Sequence, residues 1–350
     1  MIFHNVPTLG KEEEEAAVRV LRSSWVAEGA EVAQFENDLC DFLGFPNGSA
    51  VALSSGSAAL YVALKTLNVG RGDEVIVPSY ACSALLDAIF LANAKPKVVD
   101  VAQEDLNLSV AETKRSIGPK TKAIIVTHTN GMPADMEEIL RLGIPVIEDA
   151  AQAIGAMYAG KPIGVFGDIA IFSFGAIKML TSGNGGMVFS RKKALAKQAR
   201  SFREYEEQDS YRQRFNFQMS DLQAAVGRAQ LLKLPGFLRK RKQTAECYYE
   251  VFSAERSFPP RLPGRRPNFY RFLVKTKTPE LFRRRFKAAG VETRVCIRSL
   301  MPLHRRLGLA AKRFPITEQS LRNTLSLPMY PSLRVSDIRH IGNIGAKLFA

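Results

Sequence analysis

The sequence predicts an α/β protein: a large domain with a mostly parallel, seven-strand-type sheet flanked by helices, followed by a smaller C-terminal α+β domain. Three observations predict it. Short β-branched, apolar runs recur through the first two thirds of the 350 residues, helical patterns lie between several of them, and the runs are apolar on both faces. A parallel sheet covered by helices on both sides has that signature.

In chain order, residues 11–22 (KEEEEAAVRVLR) and 31–43 have the apolar spacing of amphipathic helices. The strand-like AVAL (50–53) leads through SSGSAAL (54–60) into a helical stretch, SAALYVALKTL. Further strand candidates are VIVPSY (75–80), KPKVVDV (95–101), KAIIVTHT (122–129), IPVIEDA (144–150), IAIFSF (169–174) and GMVFS (186–190), with a helix at PADMEEILRLG. The pattern DLQAAVGRAQLLKLPGFLRKRKQTAECYYEVF is a long helix interrupted at Pro235-Gly236, a kink or boundary. We therefore divide the chain into a large domain, 1–236, and a small domain, 237–350. After the Pro/Arg-rich connector FPPRLPGRRP (258–267), the small domain should hold a strand at FYRFLVKT, a helix at 279–289 and a strand near 291–298.

Composition narrows the function classes. A hydrophobic share of 46% with 24% charged residues is that of an ordinary globular protein, and no uncharged run is long enough to span a bilayer. The N-terminus lacks the basic-then-apolar order of a signal peptide, so a cytoplasmic location without integral membrane association is expected. Cys40, Cys82, Cys247 and Cys296 are scattered, with no ligand spacing, and suggest neither disulfides nor zinc. The net charge of +15 is uneven: residues 191–350 hold 35 Lys and Arg against 12 Asp and Glu, residues 1–190 hold 14 against 22. A polyanionic small molecule, an anionic membrane or nucleic acid could account for the basic half, and so could solvated helix faces. No zinc finger, aromatic RNA-binding motif or recognition helix accompanies the charge, so nucleic acid is not expected as a partner.

Three features at strand ends combine. SSGSAAL opens a helix with free N–H groups and hydroxyls, a seat for phosphate as well as an ordinary cap. IPVIEDAAQ ends a strand on Glu148 and Asp149. Lys178 follows the next strand, between the apolar FSFGAI and the glycine turn TSGNGG, surroundings that can lower an ammonium's hold on its proton. Phosphate seat, carboxylate and lysine in that order are what pyridoxal 5′-phosphate requires: the seat for its phosphate, Asp149 for the ring nitrogen, Lys178 as the Schiff-base lysine.

With these residues, the chain resembles the DegT/DnrJ/EryC1/StrS family of pyridoxal-phosphate sugar aminotransferases, of the aspartate aminotransferase fold (fold type I). The resemblance runs nearly end to end, through SSGSAAL, GDEVIVPSY, THTNGMPADM, VIEDAAQAIGA, FSFGAIKMLTSGNGGMV, FNFQMSDLQAAVGRAQL, MPLH and LSLPMYPSL. It implies Lys178 as cofactor lysine and proton shuttle, Asp149 at the pyridine nitrogen, Gly56, Ser57 and Ser173 at the phosphate, and Gln152 near the ring and its 3′-oxygen. Asn216 would reach the phosphate of a neighbouring subunit, which implies a homodimer with shared active sites. The chain departs from the family pattern at Cys82, where members often carry a ring-stacking aromatic. Tyr80, two residues earlier and pointing the same way on a strand, is the expected substitute, unless Cys82 itself packs on the ring. SFGAIK, Asn184 and Gln218 are further departures. The resemblance implies ping-pong transfer from L-glutamate to a keto sugar, expected to be linked to a nucleoside diphosphate, for amino-sugar or polysaccharide synthesis. A non-nucleotide ketone such as a cyclitol, and a non-catalytic regulator of the same fold, are the alternatives. Trp25 is read either as a packed aromatic or as a substrate contact, and His128 and His304 as packed or hydrogen-bonded rather than catalytic.

Overall fold

The computed structural model describes residues 1–205, 211, 213–297 and 301–349. Its centre is a seven-stranded sheet of β1 (Ala50–Leu53), β2 (Glu74–Pro78), β3 (Lys95–Val99), β4 (Thr121–Thr127), β5 (Val146–Asp149), β8 (Ile169–Ser173) and β9 (Gly186–Phe189) in the order β1-β9-β8-β5-β4-β2-β3. The short strands β6 (Met157–Tyr158) and β7 (Lys161–Pro162) form a separate hairpin. All neighbours in the large sheet are parallel except β9, which runs antiparallel between β1 and β8. This is the α/β architecture the sequence predicts, and the strand alternation explains its two covers. Val51, Leu53, Val75, Val77, Ile125 and Ile147 feed one core, while Ala50, Ala52, Ala170 and Phe172 feed another and Ile76, Ile124, Val126 and Val146 a third. Successive side chains of a strand leave opposite faces, so a sheet apolar at every position needs helices on both.

Those helices follow the expected pattern. α1 (Lys11–Ser23) and α2 (Ala30–Leu43) precede β1. α3 (Gly56–Thr66), α4 (Ala84–Leu91), α5 (Val110–Ser116), α6 (Met136–Leu140) and α7 (Lys193–Arg203) connect or follow strands. α8 (Asp221–Phe252) then runs unbroken for 32 residues with Pro235 inside it, so the interruption expected at Pro235-Gly236 is absent. Proline removes one ladder bond, a loss that packing offsets at both ends of this helix. Its first half supplies Ala224, Leu231 and Leu234 to the core under α2, and its second half supplies Ala245, Tyr248 and Phe252 to a separate C-terminal core.

That core lies under a small antiparallel sheet, β10 (Ser257–Phe258), β12 (Phe272–Lys275) and β13 (Thr324–Leu327) in the order β10-β12-β13, while β11 (Arg265–Arg266) pairs with β6. α9 (Pro279–Ala288), α10 (Leu303–Arg306), α11 (Pro315–Asn323) and α12 (Val335–Phe349) complete the chain. The strand expected near 291–298 is reduced, among the described residues, to isolated bridges from Val291 to Ile2 and from Arg294 to Ser326. Residues 298–300 lie outside the described residues. No helix among the described residues is long and apolar enough to cross a membrane.

α10 and α11 are tied to the large sheet by polar contacts. Asp100, just past β3, accepts hydrogen bonds from the backbone N–H groups of Ile316 and Thr317 and from the Thr317 hydroxyl. His304 joins Ser79 Oγ at 2.5 Å to Glu318 at 3.0 Å and stacks on Phe314 with centroids 4.4 Å apart. Hydrogen bonds from Arg305 lead the interactions that hold the Glu318 carboxyl down to about 2, with His304 adding to them and burial opposing. A depressed carboxyl stabilises the fold above its unfolded value of 4.5, and that stabilisation is lost as pH falls towards about 2. Glu318→Gln is therefore expected to flatten the pH dependence of the unfolding midpoint between pH 4.5 and 2, as read by thermal melts across that window.

Candidate active site

The parallel strands bring their carboxyl ends to one rim, where ligands bind in open α/β sheets. At β1, Ser54 N–H donates to the Phe217 carbonyl at 2.7 Å. Ser55 then caps α3, its hydroxyl accepting from Ala58 N–H at 3.1 Å. Gly56 begins the helix against Ser173, the last residue of β8: a Cβ on Gly56 would stand 2.8 Å from Ser173 Oγ. Only glycine lets that hydroxyl reach the first helical turn, where Ser57 is exposed. The backbone is equally close across the turn, since a Cβ on Gly186 would meet the Ser55 carbonyl oxygen at 2.3 Å. The result is a cradle of free N–H groups and hydroxyls at a helix start, suited to a phosphate.

The next feature is at the end of β5. Glu148 and Asp149 are adjacent and so face opposite sides of the sheet. Glu148 is spent structurally: fully buried, it accepts from Gly164, Phe166 and Gly167 N–H groups at 2.9, 2.6 and 2.6 Å and meets His128 Nε2 at 3.2 Å. Asp149 is buried with one oxygen accepting from Ala151 N–H at 3.0 Å. Burial pushes its carboxyl above the usual range, and the charge of Lys178 pulls it back.

Lys178 sits in the turn after β8, its N–H donating to the Gly175 carbonyl at 3.0 Å. Its ammonium lies 5.9 Å over the Tyr270 ring and makes no ion pair or side-chain hydrogen bond with a described residue. Cys82 is half-buried within electrostatic reach of both Asp149 and Lys178; burial pushes its thiol up and Asp149's charge adds to that.

Other expected site residues are placed less closely. Gln152 Oε1 accepts from Asn130 N–H at 2.8 Å, one turn past β5. Tyr80 does not share the environment of Cys82. β2 ends at Pro78, so the alternation expected to align the two residues does not extend to them. Tyr80 is buried in a cluster with Leu106, Met132 and Leu273, whereas Cys82 packs on the core beneath α3 and α4. Asn216 is exposed, with its amide 3.4 Å from Tyr205 Oη. His128 and His304 are both buried and hydrogen-bonded. Trp25 is 60% exposed with its indole N–H on the Glu28 carbonyl at 3.0 Å, so it is not a packed aromatic within this chain.

The sequence matches the DegT/DnrJ/EryC1/StrS aminotransferase family over residues 7–344. The chain belongs to that family. Its aminotransferases are pyridoxal-phosphate enzymes. This member is 30% identical to the dTDP-4-dehydro-2,3,6-trideoxy-D-glucose 4-aminotransferase of Saccharopolyspora spinosa, over 98% of this chain and 95% of that one. Its fold superposes on the aminotransferase TlmJ from Streptoalloteichus hindustanus with a TM-score of 0.91 at 31% identity, covering 100% of each chain. It also superposes on DesV of S. venezuelae, solved in complex with a ketimine intermediate, with a TM-score of 0.90 at 30% identity, covering 96% of this chain and 94% of that one.

In this aminotransferase the surroundings of Lys178 include residues the sequence did not single out. Tyr270 lies beneath its ammonium, and the Arg271 guanidinium stacks 4.8 Å over the same ring while donating to His4 Nδ1 at 3.0 Å. Asn130 adopts a left-handed φ of 57° and leaves its buried amide nitrogen without a hydrogen-bond partner among the described residues. The only local signal was Asn130 within THTNGMPADM; FYRFLVKT read only as a strand. No group of three or more His, Cys, Asp or Glu among the described residues could hold a metal ion. A neutral phosphate cradle, a buried carboxylate and an uncommitted lysine on one rim fit pyridoxal phosphate chemically.

Proposed function

We propose that this protein transfers an amino group from L-glutamate to a keto sugar carried on a nucleoside diphosphate, as a homodimer, in amino-sugar synthesis. The observation that carries the reading is Lys178, without an ion-pair partner among the described residues, within electrostatic reach of the buried Asp149. The sugar-nucleotide substrate is supported by the Saccharopolyspora spinosa relative, whose activity is on a dTDP-linked keto sugar.

In this reading Gly56, Ser57 and Ser173 hold the cofactor phosphate. Asp149 holds the proton at the ring nitrogen, Gln152 lies beside the ring, and Cys82 takes the place next to it. When bound, pyridoxal phosphate supplies an electron sink for the carbon that loses its proton. Lys178 Nζ anchors the cofactor, then takes the α-proton of the amino donor and returns it, serving both half-reactions as base and acid. Asp149 is buried away from water, and the nearby Lys178 cation opposes the burial that disfavours its charged form. Exposed Asn216 is available to a partner subunit, and the exposed Trp25, Val26 and Ile177 would be covered by one.

Protein reconstituted with pyridoxal phosphate should absorb in the visible and bleach when L-glutamate is added. With a dTDP-linked 4-keto sugar it should release 2-oxoglutarate in step with amino sugar, and with a cyclitol ketone it should not. A colourless reconstituted protein would refute the enzyme reading; turnover of the cyclitol alone would refute the nucleotide-sugar part.

A further inference from the structure

The C-terminal half carries the charge excess, and several of its described arginines are neutralised. Arg265 pairs with Asp105 and Asp135, Arg294 with Glu292, Arg305 with Glu318 and Arg334 with Asp337. Arg256, Lys275 and Lys277 form no ion pair with a described residue, and all three line one cavity of about 540 Å³. No described residue lining it is acidic. The cavity lies where the loop carrying Gln103 and Leu106 meets the β10–β12 edge of the small sheet and α11. None of the residues assigned above to the cofactor lines it.

Its walls are of two kinds. Phe258, Phe282, Phe349, Leu106 and Ile316 give an apolar lobe, with Arg256 stacked 4.8 Å over the Phe349 ring. Gln319 and Asn323 add amide donors and acceptors. Across Lys277 and Thr278 the groove continues into a second cavity of about 510 Å³, where Arg284 adds another cation and the one described acidic lining residue, Glu280, is paired with Arg283. An apolar lobe with amides at its edge accepts a flat heterocycle, and a run of unpaired cations leading away accepts phosphates.

We propose that this groove is a second ligand site, separate from the Lys178 centre, that binds a nucleoside diphosphate with the base among the phenylalanines and the phosphates on Lys275, Lys277 and Arg284. The seat touches the catalytic half of the chain. Leu106 and Phe258 belong to the same buried cluster as Tyr80, in the turn leading from β2 to Cys82. A ligand there braces the seam between the small sheet and that turn, so the site is placed to act as an effector site.

The test uses the pyridoxal-phosphate-loaded protein, titrated by calorimetry with ADP and with UDP, followed by hydrogen-exchange mass spectrometry. At least one nucleotide should bind and protect the segments around Arg256–Phe258, Lys275–Thr278 and Ile316–Thr324. Lys275→Glu/Lys277→Glu changes two exposed side chains; it should weaken that binding at least about tenfold and abolish the protection there, leaving protection at the Ser173–Lys178 turn as in the wild type. Binding of neither nucleotide, protection confined to the Ser173–Lys178 turn, or unchanged affinity in the variant would overturn the proposal. Inorganic pyrophosphate binding as tightly as the nucleotides would overturn the role of the apolar lobe.

Discussion

Lys178→Ala is expected to lower amino transfer by about 10⁴-fold or more, because one side chain both anchors the cofactor and moves the proton. The fold should be retained. Lys178 is half-buried and makes no ion pair with a described residue, so its removal is expected to cost about 1 kcal/mol or less, chiefly the lost attraction to the buried Asp149 carboxylate. Borohydride reduction followed by peptide mass mapping reads the anchoring directly: wild-type protein should carry the cofactor on the peptide containing Lys178, and the variant on none. A variant that still turned over at wild-type rate would place the chemistry elsewhere.

Asp149→Asn is expected to reduce kcat by about 10³-fold, the scale seen when a pre-organised charge in a water-excluded site is removed. Its effect on stability has the opposite sign. The folded carboxyl lies above its usual value of 3.8, with burial the largest cause and Lys178 opposing it. The folded state therefore binds this proton more tightly than the unfolded chain does, and stability falls as pH rises from 3.8 through the raised value. At neutral pH the ionised group destabilises the cofactor-free protein, and asparagine removes that penalty. Thermal melts of cofactor-free protein should show the variant melting higher than wild type at pH 7, with the gap closing below pH 3.8. Adding pyridoxal phosphate should then stabilise wild type more than the variant, since only the carboxylate gains a charged partner in the ring nitrogen. Equal gains would mean that Asp149 does not face that nitrogen.

Much of the rim was legible because its signals are local. A helix start announces itself by Ser55 and Gly56, a strand end by an apolar run stopping at Asp149, and a turn by the glycines after Lys178. Strand alternation even separates Glu148, spent on Gly164, Phe166 and Gly167, from Asp149, once one face is known to be the site. Where local rules were carried too far they failed. Strand alternation would align Tyr80 with Cys82, but β2 stops at Pro78 and the bend that follows sends the two into different cores. Proline at 235 read as a break, yet α8 passes through it because its two halves are packed in separate cores. The pattern near 291–298 has strand composition, but its described backbone finds only single bridges to Ile2 and Ser326.

Local sequence is enough for the α/β class, the order of the strands along the chain and the three strand ends that carry hydroxyl, acidic and amine groups, since each depends on neighbours a few residues away. Only the tertiary structure decided which of these groups meet. The Tyr270 ring beneath Lys178, the Ser173 hydroxyl against Gly56 and the unpaired cations around the groove beside Phe349 all join segments far apart in the chain. Such contacts are set by how strands order themselves in a sheet and how a second core packs beside it. Those are long-range balances of burial and chain entropy, and no local spacing of residues encodes them.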